Sequence, residues 1–216
     1  MFISIEGGEG SGKTTLARNL VRELKDMGKQ VVHTREPGGS PLGEELREIL
    51  LKKEALDLNL PAELLLFLSS RAQHLEEVIL PALHRKNIVI CERFHDSTVV
   101  YQGYSPNESI VELDFVDSFC RRFYDFFFKE TNWMPDITFI LEIPSYEGIL
   151  RKKKQSPLDK VEVRGSEFHK RVEKGFQLMK ERYPERIRAI DASKPVHELS
   201  QEVLEIVFCF PGFLCA

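Results

Sequence analysis

The chain is poor in the features that mark several large protein classes. Its four cysteines, Cys91, Cys120, Cys209 and Cys215, show no metal-ligand spacing, and two of them sit in apolar runs. Idle or buried thiols are therefore expected in place of disulfides or a zinc site, which suits a reducing compartment. Positive charge is not in excess: 30 Lys and Arg against 34 Asp and Glu leave a net charge of −4, which argues against a polybasic nucleic-acid binder. Long hydrophobic runs are missing too. The longest, residues 206–216, is broken by Pro211 and Gly212 and is far below the ~20 residues of a membrane span. Glu6 follows almost at once on the start, with no basic region before it, so no signal peptide and no membrane partner are expected. No internal repeat, low-complexity segment or linker divides the 216 residues. A single cytoplasmic globular domain over 1–216, large enough for its own core, is the expectation.

Short β-branched or aromatic runs at 2–6, 30–34, 88–92, 136–142 and 187–191 read as strands with few internal polar residues. Parallel strands buried on both faces have this pattern. Between them, amphipathic stretches at 13–27, 42–52, 61–85, 109–128, 146–154, 166–183 and 196–208 read as helices, with Pro41 and Pro61 near first turns. The alternation predicts an α/β domain with a five-stranded, mainly parallel sheet flanked by helices. Two loops stand out by composition. Thr34-Arg35-Glu36-Pro37-Gly38-Gly39 is too rich in Gly and Pro to continue a strand, and residues 151–164 open on the basic cluster Arg151-Lys152-Lys153-Lys154.

The strongest chemical signal is Gly7-Gly8-Glu9-Gly10-Ser11-Gly12-Lys13-Thr14, which fits G-x-x-x-x-G-K-[ST] between the first strand and the first long helix. Glycines let backbone N–H groups turn inward on a triphosphate, the helix start adds partial positive charge, and Lys13 adds a full one. Thr14 would ligate Mg²⁺. A GTPase should also carry N-K-x-D, yet Asn19, Asn59, Asn87, Asn107 and Asn132 all lack it. A multi-subunit ATPase usually ends a hydrophobic strand in two carboxylates. Here the third strand ends in Glu92-Arg93, one carboxylate and an arginine, which points to a second anionic phosphate at the carboxyl edge of the sheet.

Arg35 and Arg93 leave adjacent predicted strands at that edge, where two guanidinium forks could hold an acceptor monophosphate in line for transfer. Phe67 and Arg71 lie four apart on one helix face. They fit either base recognition, by stacking and a carbonyl-reading fork, or a core phenylalanine beside a surface arginine. Tyr101 and Gln102 carry the same two readings.

In order along the chain, residues 6–15, Thr34 to Gly39, Glu63-Leu64-Leu65-Leu66-Phe67 with Arg71-Ala72-Gln73-His74, Glu92-Arg93 with Ser97, Tyr101-Gln102-Gly103 and Pro135-Asp136-Ile137-Thr138 resemble bacterial thymidylate kinases. Asp159-Lys160-Val161-Glu162 resembles the lid of that family, and the likeness spans residues 1 to about 205. It implies a P-loop nucleoside-monophosphate-kinase-like fold with a short lid at about 151–164, transfer of the γ-phosphoryl of MgATP to dTMP, and a homodimer.

Residue by residue, the resemblance implies that Gly7, Gly8, Glu9, Gly10, Ser11, Gly12, Lys13, Thr14 and Thr15 hold ATP. Glu9 would also accept from the deoxyribose 3′-hydroxyl. Arg93 and Arg35 would bind the dTMP phosphate, with Pro37 in the same loop, Phe67 would stack on thymine, and Arg71 would reach O4. Ser97, Tyr101 and Gln102 would complete the pocket, with Tyr101 crowding the 2′ position. Two departures stand against the family pattern. Glu92 replaces the usual Asp beside Arg93, one methylene longer toward the magnesium shell. The lid is lysine-rich, leaving Lys153, Lys154 and Lys160 as candidates for transition-state charge where the family uses arginines. The competing readings are another nucleotide or deoxynucleoside kinase and a non-enzymatic ATP-binding module.

Overall fold

The structure is a computed structural model that describes residues 1–51, 56–129, 132–153, 164–211 and 213. Among these residues, five parallel strands form one sheet in the order β2-β3-β1-β4-β5. The strands are β1 (Phe2–Gly7), β2 (Val31–Arg35), β3 (Ile88–Glu92), β4 (Ile137–Glu142) and β5 (Ile187–Asp191). All lie within a residue or so of the runs expected from sequence. Central β1 is buried along its whole length, paired through Ile3 with Ile90 of β3 and Ile137 of β4. Its alternate side chains serve two cores. Ile3 and Ile5 pack with Leu16, Leu20 and Leu24 of α1 (Lys13–Asp26) and with Val203 and Val207 of α9 (Val196–Phe208). Phe2 packs on the opposite face with Leu68, Phe94, Tyr124 and Trp133. Burial of both faces is why the strands read as continuous apolar runs.

The remaining helices are α2 (Pro41–Leu51), α3 (Leu60–His74), α4 (Leu80–His84), α5 (His95–Thr98), α6 (Ile110–Phe127), α7 (Ser145–Lys153) and α8 (Ser166–Arg182). Asn59 starts α3 by accepting from the Ala62 amide at 2.9 Å, and Ser109 starts α6 by accepting from Glu112 at 3.2 Å. The single helix expected over 61–85 is instead α3 and α4 joined by a π-helical turn, Leu75–Ile79. Pro81 has no amide to bond back along the helix, and a widened turn just before it absorbs the mismatch. A second π-helical turn, Val99–Tyr104, carries Tyr101 and Gln102.

Cys91 and Cys120 are buried free thiols and Cys209 is an exposed one, whereas Cys215 lies outside the described residues. Phe213, near the end of the chain, is 3% exposed and sits in the core beside α9, with Lys29 over its ring at 5.2 Å. No helix among the described residues is long and apolar enough to cross a membrane. Strand order fixes the site. The connection after β1 runs toward β2 on one side and that after β3 toward β4 on the other, so a crevice opens beyond the carboxyl ends of these adjacent strands.

Candidate active site

A cleft of about 710 Å³ occupies that crevice. Its floor is the loop after β1. Gly7, Gly10 and Gly12 take φ of 135°, 66° and 95°, a left-handed path that side chains resist. Lys13, at the first turn of α1, is 9% exposed, and its Nζ donates to the carbonyls of Gly7 (3.0 Å) and Gly8 (2.6 Å) and to Ser11 Oγ (3.2 Å). Burial, reinforced by the nearby Arg93 charge, lowers its ammonium to about 7 against the opposing pull of Glu9, Glu6 and Glu92. Thr14 and Thr15 line the cleft with Glu9, Gly10, Gly12 and Lys13, while Gly7, Gly8 and Ser11 enclose the lysine from behind.

The second wall comes from β3. Arg93 follows its last residue with φ of 64°, a conformation that costs a non-glycine residue about 1 kcal/mol or more. The surroundings over-determine it. Its amide donates to the Ile5 carbonyl at 3.0 Å, and Nη1 donates to the Gly7 carbonyl (3.0 Å) and Ser97 Oγ (3.2 Å). Nη2 reaches Glu9 Oε1 at 2.6 Å, and the guanidinium lies over the Tyr101 ring at 4.9 Å. Tyr101 donates to the same Glu9 oxygen at 3.0 Å. Burial alone would raise Glu9, but Arg93 and then Lys13 hold it below the ordinary carboxylate value. Behind Arg93, buried Glu6 accepts from the Phe94 amide at 2.7 Å and from Ser97 Oγ.

Glu92 accepts from Thr14 Oγ1 on one oxygen and lies 2.9 Å from His33 Nε2 on the other. Burial would raise it, yet the hydrogen bonds from His33 and Thr14 bring it below its usual value. A hydroxyl and an ionised carboxylate side by side are hard oxygen donors of the kind Mg²⁺ takes, so the pair fits that ion.

A third wall of the cleft is built by α3 and the loop after β2. Phe67, Pro37, Arg71, Ser97, Tyr101 and Gln102 all line the cleft. The two readings of Arg71 separate here: it is only 1% exposed, with Nε donating to Glu36 Oε2 at 2.7 Å and Nη2 to Thr98 Oγ1 at 2.8 Å. Its Nη1, also buried, has no hydrogen-bond partner among the described residues. Gln102 donates to Glu63 Oε1 at 2.9 Å, and Arg164, at the end of the candidate lid range, reaches the other Glu63 oxygen at 2.8 Å. Arg35 is at the rim, half exposed and 2.8 Å from Glu44 Oε2.

The residues expected in a lid divide. Lys153 is exposed and lies outside the cleft lining, whereas its neighbour Lys152 lines it; successive residues of a helix point about 100° apart, so only one of the two faces inward. Lys154 and Lys160, with residues 154–163 generally, lie outside the described residues. Glu36, His74, Thr98, Glu63, His33, Arg18 and Arg47 are parts of the site or its supports that sequence reasoning missed. The Glu36 and His74 signal was present, inside Thr34 to Gly39 and Arg71 to His74, but as motif letters without partners.

The sequence profile of the family described as thymidylate kinase matches residues 5–203. A thymidylate kinase of Chlamydia muridarum is 45% identical over 207 residues, covering 95% of this chain and 98% of that protein. One from an Exiguobacterium species is 39% identical, covering 95% and 92%. The crystal structure of thymidylate kinase from Ehrlichia chaffeensis superposes with a TM-score of 0.72 at 32% identity, covering 96% of this chain and 98% of that one.

Proposed function

The chain belongs to the thymidylate kinase family and catalyses ATP-dependent phosphorylation of dTMP to dTDP, and from that premise we propose how its own residues divide the work. The observation that carries the proposal is one cleft in which the β1 loop with Lys13, the Arg93–Glu9 pair and the Phe67–Arg71 face meet.

At the donor end, Lys13 exchanges the Gly7 and Gly8 carbonyls for phosphate oxygens of ATP, and the loop amides complete the cradle. Thr14 and Glu92 would hold Mg²⁺, which when bound would neutralise charge on the triphosphate. At the acceptor end, Arg93 grips the dTMP phosphate with the Nε edge that its bonds to Gly7, Ser97 and Glu9 leave over, and Arg35 adds charge at the rim. Both bonds to Glu9 fall on Oε1, which leaves Oε2 for the 3′-hydroxyl. Phe67 stacks on thymine, Arg71 offers its unpartnered Nη1 to O4, and Ser97, Tyr101 and Gln102 enclose the sugar and base.

The acceptor oxygen is already anionic, so no strong base is required. Glu9 and Glu92 position groups, and the barrier falls through alignment and charge neutralisation. Lys152 at the cleft wall, with Lys160 as a candidate cation from the proposed lid, adds cationic charge around the moving phosphoryl group; Lys153, exposed and outside the cleft lining, would join them only on turning inward. Exclusion of water from the cleft once both substrates are bound would suppress hydrolysis of ATP.

We further propose a homodimer formed through the exposed apolar side of α6, and a cytoplasmic setting that keeps the thiols reduced. A coupled ADP-release assay over dTMP, dUMP, dCMP, dGMP and thymidine tests the assignment. Turnover is expected with dTMP and none with thymidine; phosphorylation of thymidine but not dTMP would overturn it.

A further inference from the structure

Beneath the acceptor pocket runs a buried relay that the phosphoryl transfer does not itself require. Thr34 Oγ1 lies 2.6 Å from His74 Nε2, His74 Nδ1 donates to Glu36 Oε1 at 3.0 Å, and Glu36 Oε2 accepts from Arg71 Nε at 2.7 Å. Arg71 Nη2 ends the relay on Thr98 Oγ1 at 2.8 Å. His74 is 0% exposed, and Glu36, Arg71 and Thr98 are 5%, 1% and 2% exposed. Arg71 and His74 stand three residues apart at the end of α3, so they share one helix face, and Glu36 enters between them from the end of β2.

The loop is shaped to make this contact. A Cβ on Gly39, whose φ is 79°, would stand 2.4 Å from His74 Nε2 and 2.6 Å from Thr34 Oγ1. The glycine lets backbone close directly over the imidazole.

We infer that His74 is a positioning residue for base recognition: by occupying one oxygen of Glu36, it keeps that carboxylate on Arg71 Nε alone and so fixes the guanidinium with Nη1 left for the base. The inference rests on the reading that Arg71 meets O4 of thymine. A carboxylate free at both oxygens takes an arginine side-on through two parallel N–H bonds, Nε and Nη2 together. Such a grip would pull an Nη2 N–H onto the second Glu36 oxygen and turn the guanidinium plane toward Glu36. With His74 in place, Glu36 Oε1 is drawn to the imidazole while Oε2 meets Nε, Nη2 stays on Thr98, and the plane is held over Phe94 at 4.8 Å. His74 touches no part of the phosphate machinery, so its influence should appear in acceptor binding and leave the donor side unmoved.

The experiment compares His74→Phe and His74→Asn. Phenylalanine keeps ring volume without a donor, whereas the asparagine amide reproduces the donor at the Nδ1 position with less volume. His74→Phe is expected to raise the KM for dTMP roughly ten- to hundredfold, the range of a lost hydrogen bond to a charged group, with the KM for ATP unchanged. His74→Asn should restore most of the dTMP affinity. A merely structural histidine predicts the opposite rank, with Phe tolerated and Asn harmful, and that result overturns the proposal.

The acceptor 4-thio-dTMP, which keeps N3–H and weakens the acceptor at position 4, separates the two readings. In the wild-type protein it should bind more weakly than dTMP, and in His74→Phe that preference should shrink. No preference in the wild type defeats the O4 reading itself. A full preference retained in His74→Phe defeats the role of His74 alone. A rise in the KM for ATP equal to that for dTMP, or loss of the cooperative melt in both variants, shows His74 to be a fold residue and also overturns the proposal.

Discussion

At the scale of single residues, the site works by placing full charges where the backbone resists putting them. Arg93 holds φ of 64° while its guanidinium bonds Ser97, Glu9 and the Gly7 carbonyl, so one arginine ties the loop after β1 to α5. Phe67 has a simpler task. It is partly buried on the cleft wall, and a base stacked on it gains about 1–3 kcal/mol. Phe67→Ala is therefore expected to raise the KM for dTMP about five- to a hundredfold and to leave the KM for ATP in place. Steady-state kinetics with each substrate varied in turn check this; equal shifts in both would put the ring in the core. Of these residues, Lys13 and Arg93 were legible in the sequence because each belongs to a contiguous motif. Burial of Arg71 was not, since a position on a helix face says nothing of what covers it.

Between elements, a close join is that of the phosphate loop and α7, the helix that carries Lys152. A Cβ on Gly10 would stand 1.9 Å from the Gly148 carbonyl, and one on Gly148 would stand 2.1 Å from the Glu9 carbonyl. A glycine within an exposed helix gains about 1 kcal/mol on replacement by alanine. Here the sign should reverse: Gly148→Ala must part the loop from α7, lowering stability by about 1–3 kcal/mol and reducing kcat together with ATP affinity. Denaturant melts and initial rates read both.

A second join links α5, α6 and α8. Asp117 of α6 lies 2.7 Å from His95 Nε2 and 2.9 Å from Arg121 Nε, and accepts from the Tyr183 hydroxyl. Burial holds His95 below its ordinary value, only partly offset by Asp117. As pH falls through about 6.5 the unfolded chain takes a proton at His95 that the folded chain refuses. This contribution to stability is thus complete above that pH and declines below it, by at most about 1.4 kcal/mol per pH unit. Asp117 acts in the same direction further down. Burial would raise it, but the His95 and Tyr183 bonds hold it low, so the unfolded carboxyl protonates first. Thermal melts between pH 7.5 and 5.5 should steepen in the wild type and flatten in His95→Gln, whose amide keeps a donor to Asp117 without titrating. Neither join could be read from the sequence. The helices themselves could, because apolar spacing is local, but the pairing of one helix with another depends on how the sheet folds them together.

For the whole molecule, a net charge of −4 is an average over an acidic exterior and a cationic cleft. Lys13, Arg18, Arg35, Arg93 and Lys152 line one volume of about 710 Å³ despite wide separation in the chain. The exterior carries its own signal on α6, where Val111 is 78% exposed, Phe115 63% and Phe126 62%, with Phe115 stacked on Phe119 at 5.9 Å. So much apolar surface on one helix is unusual for a monomer. Phe115→Glu is expected to convert a dimer into monomers, with the mass read by sedimentation and the melt retained; an unchanged mass places the interface elsewhere.

The sequence by itself determined where the five strands lie and the phosphate-loop motif, since each rests on residues close together in the chain. Spacing and glycine placement are sufficient to specify such local geometry. Only the tertiary structure decided that Glu36, His74 and Thr98 hold Arg71, that Glu92 meets both Thr14 and His33, and that Lys152, not Lys153, lines the cleft. Those contacts join side chains from different strands and helices. Their energy comes from burial and pairing that exist only after the sheet has brought the elements to one edge.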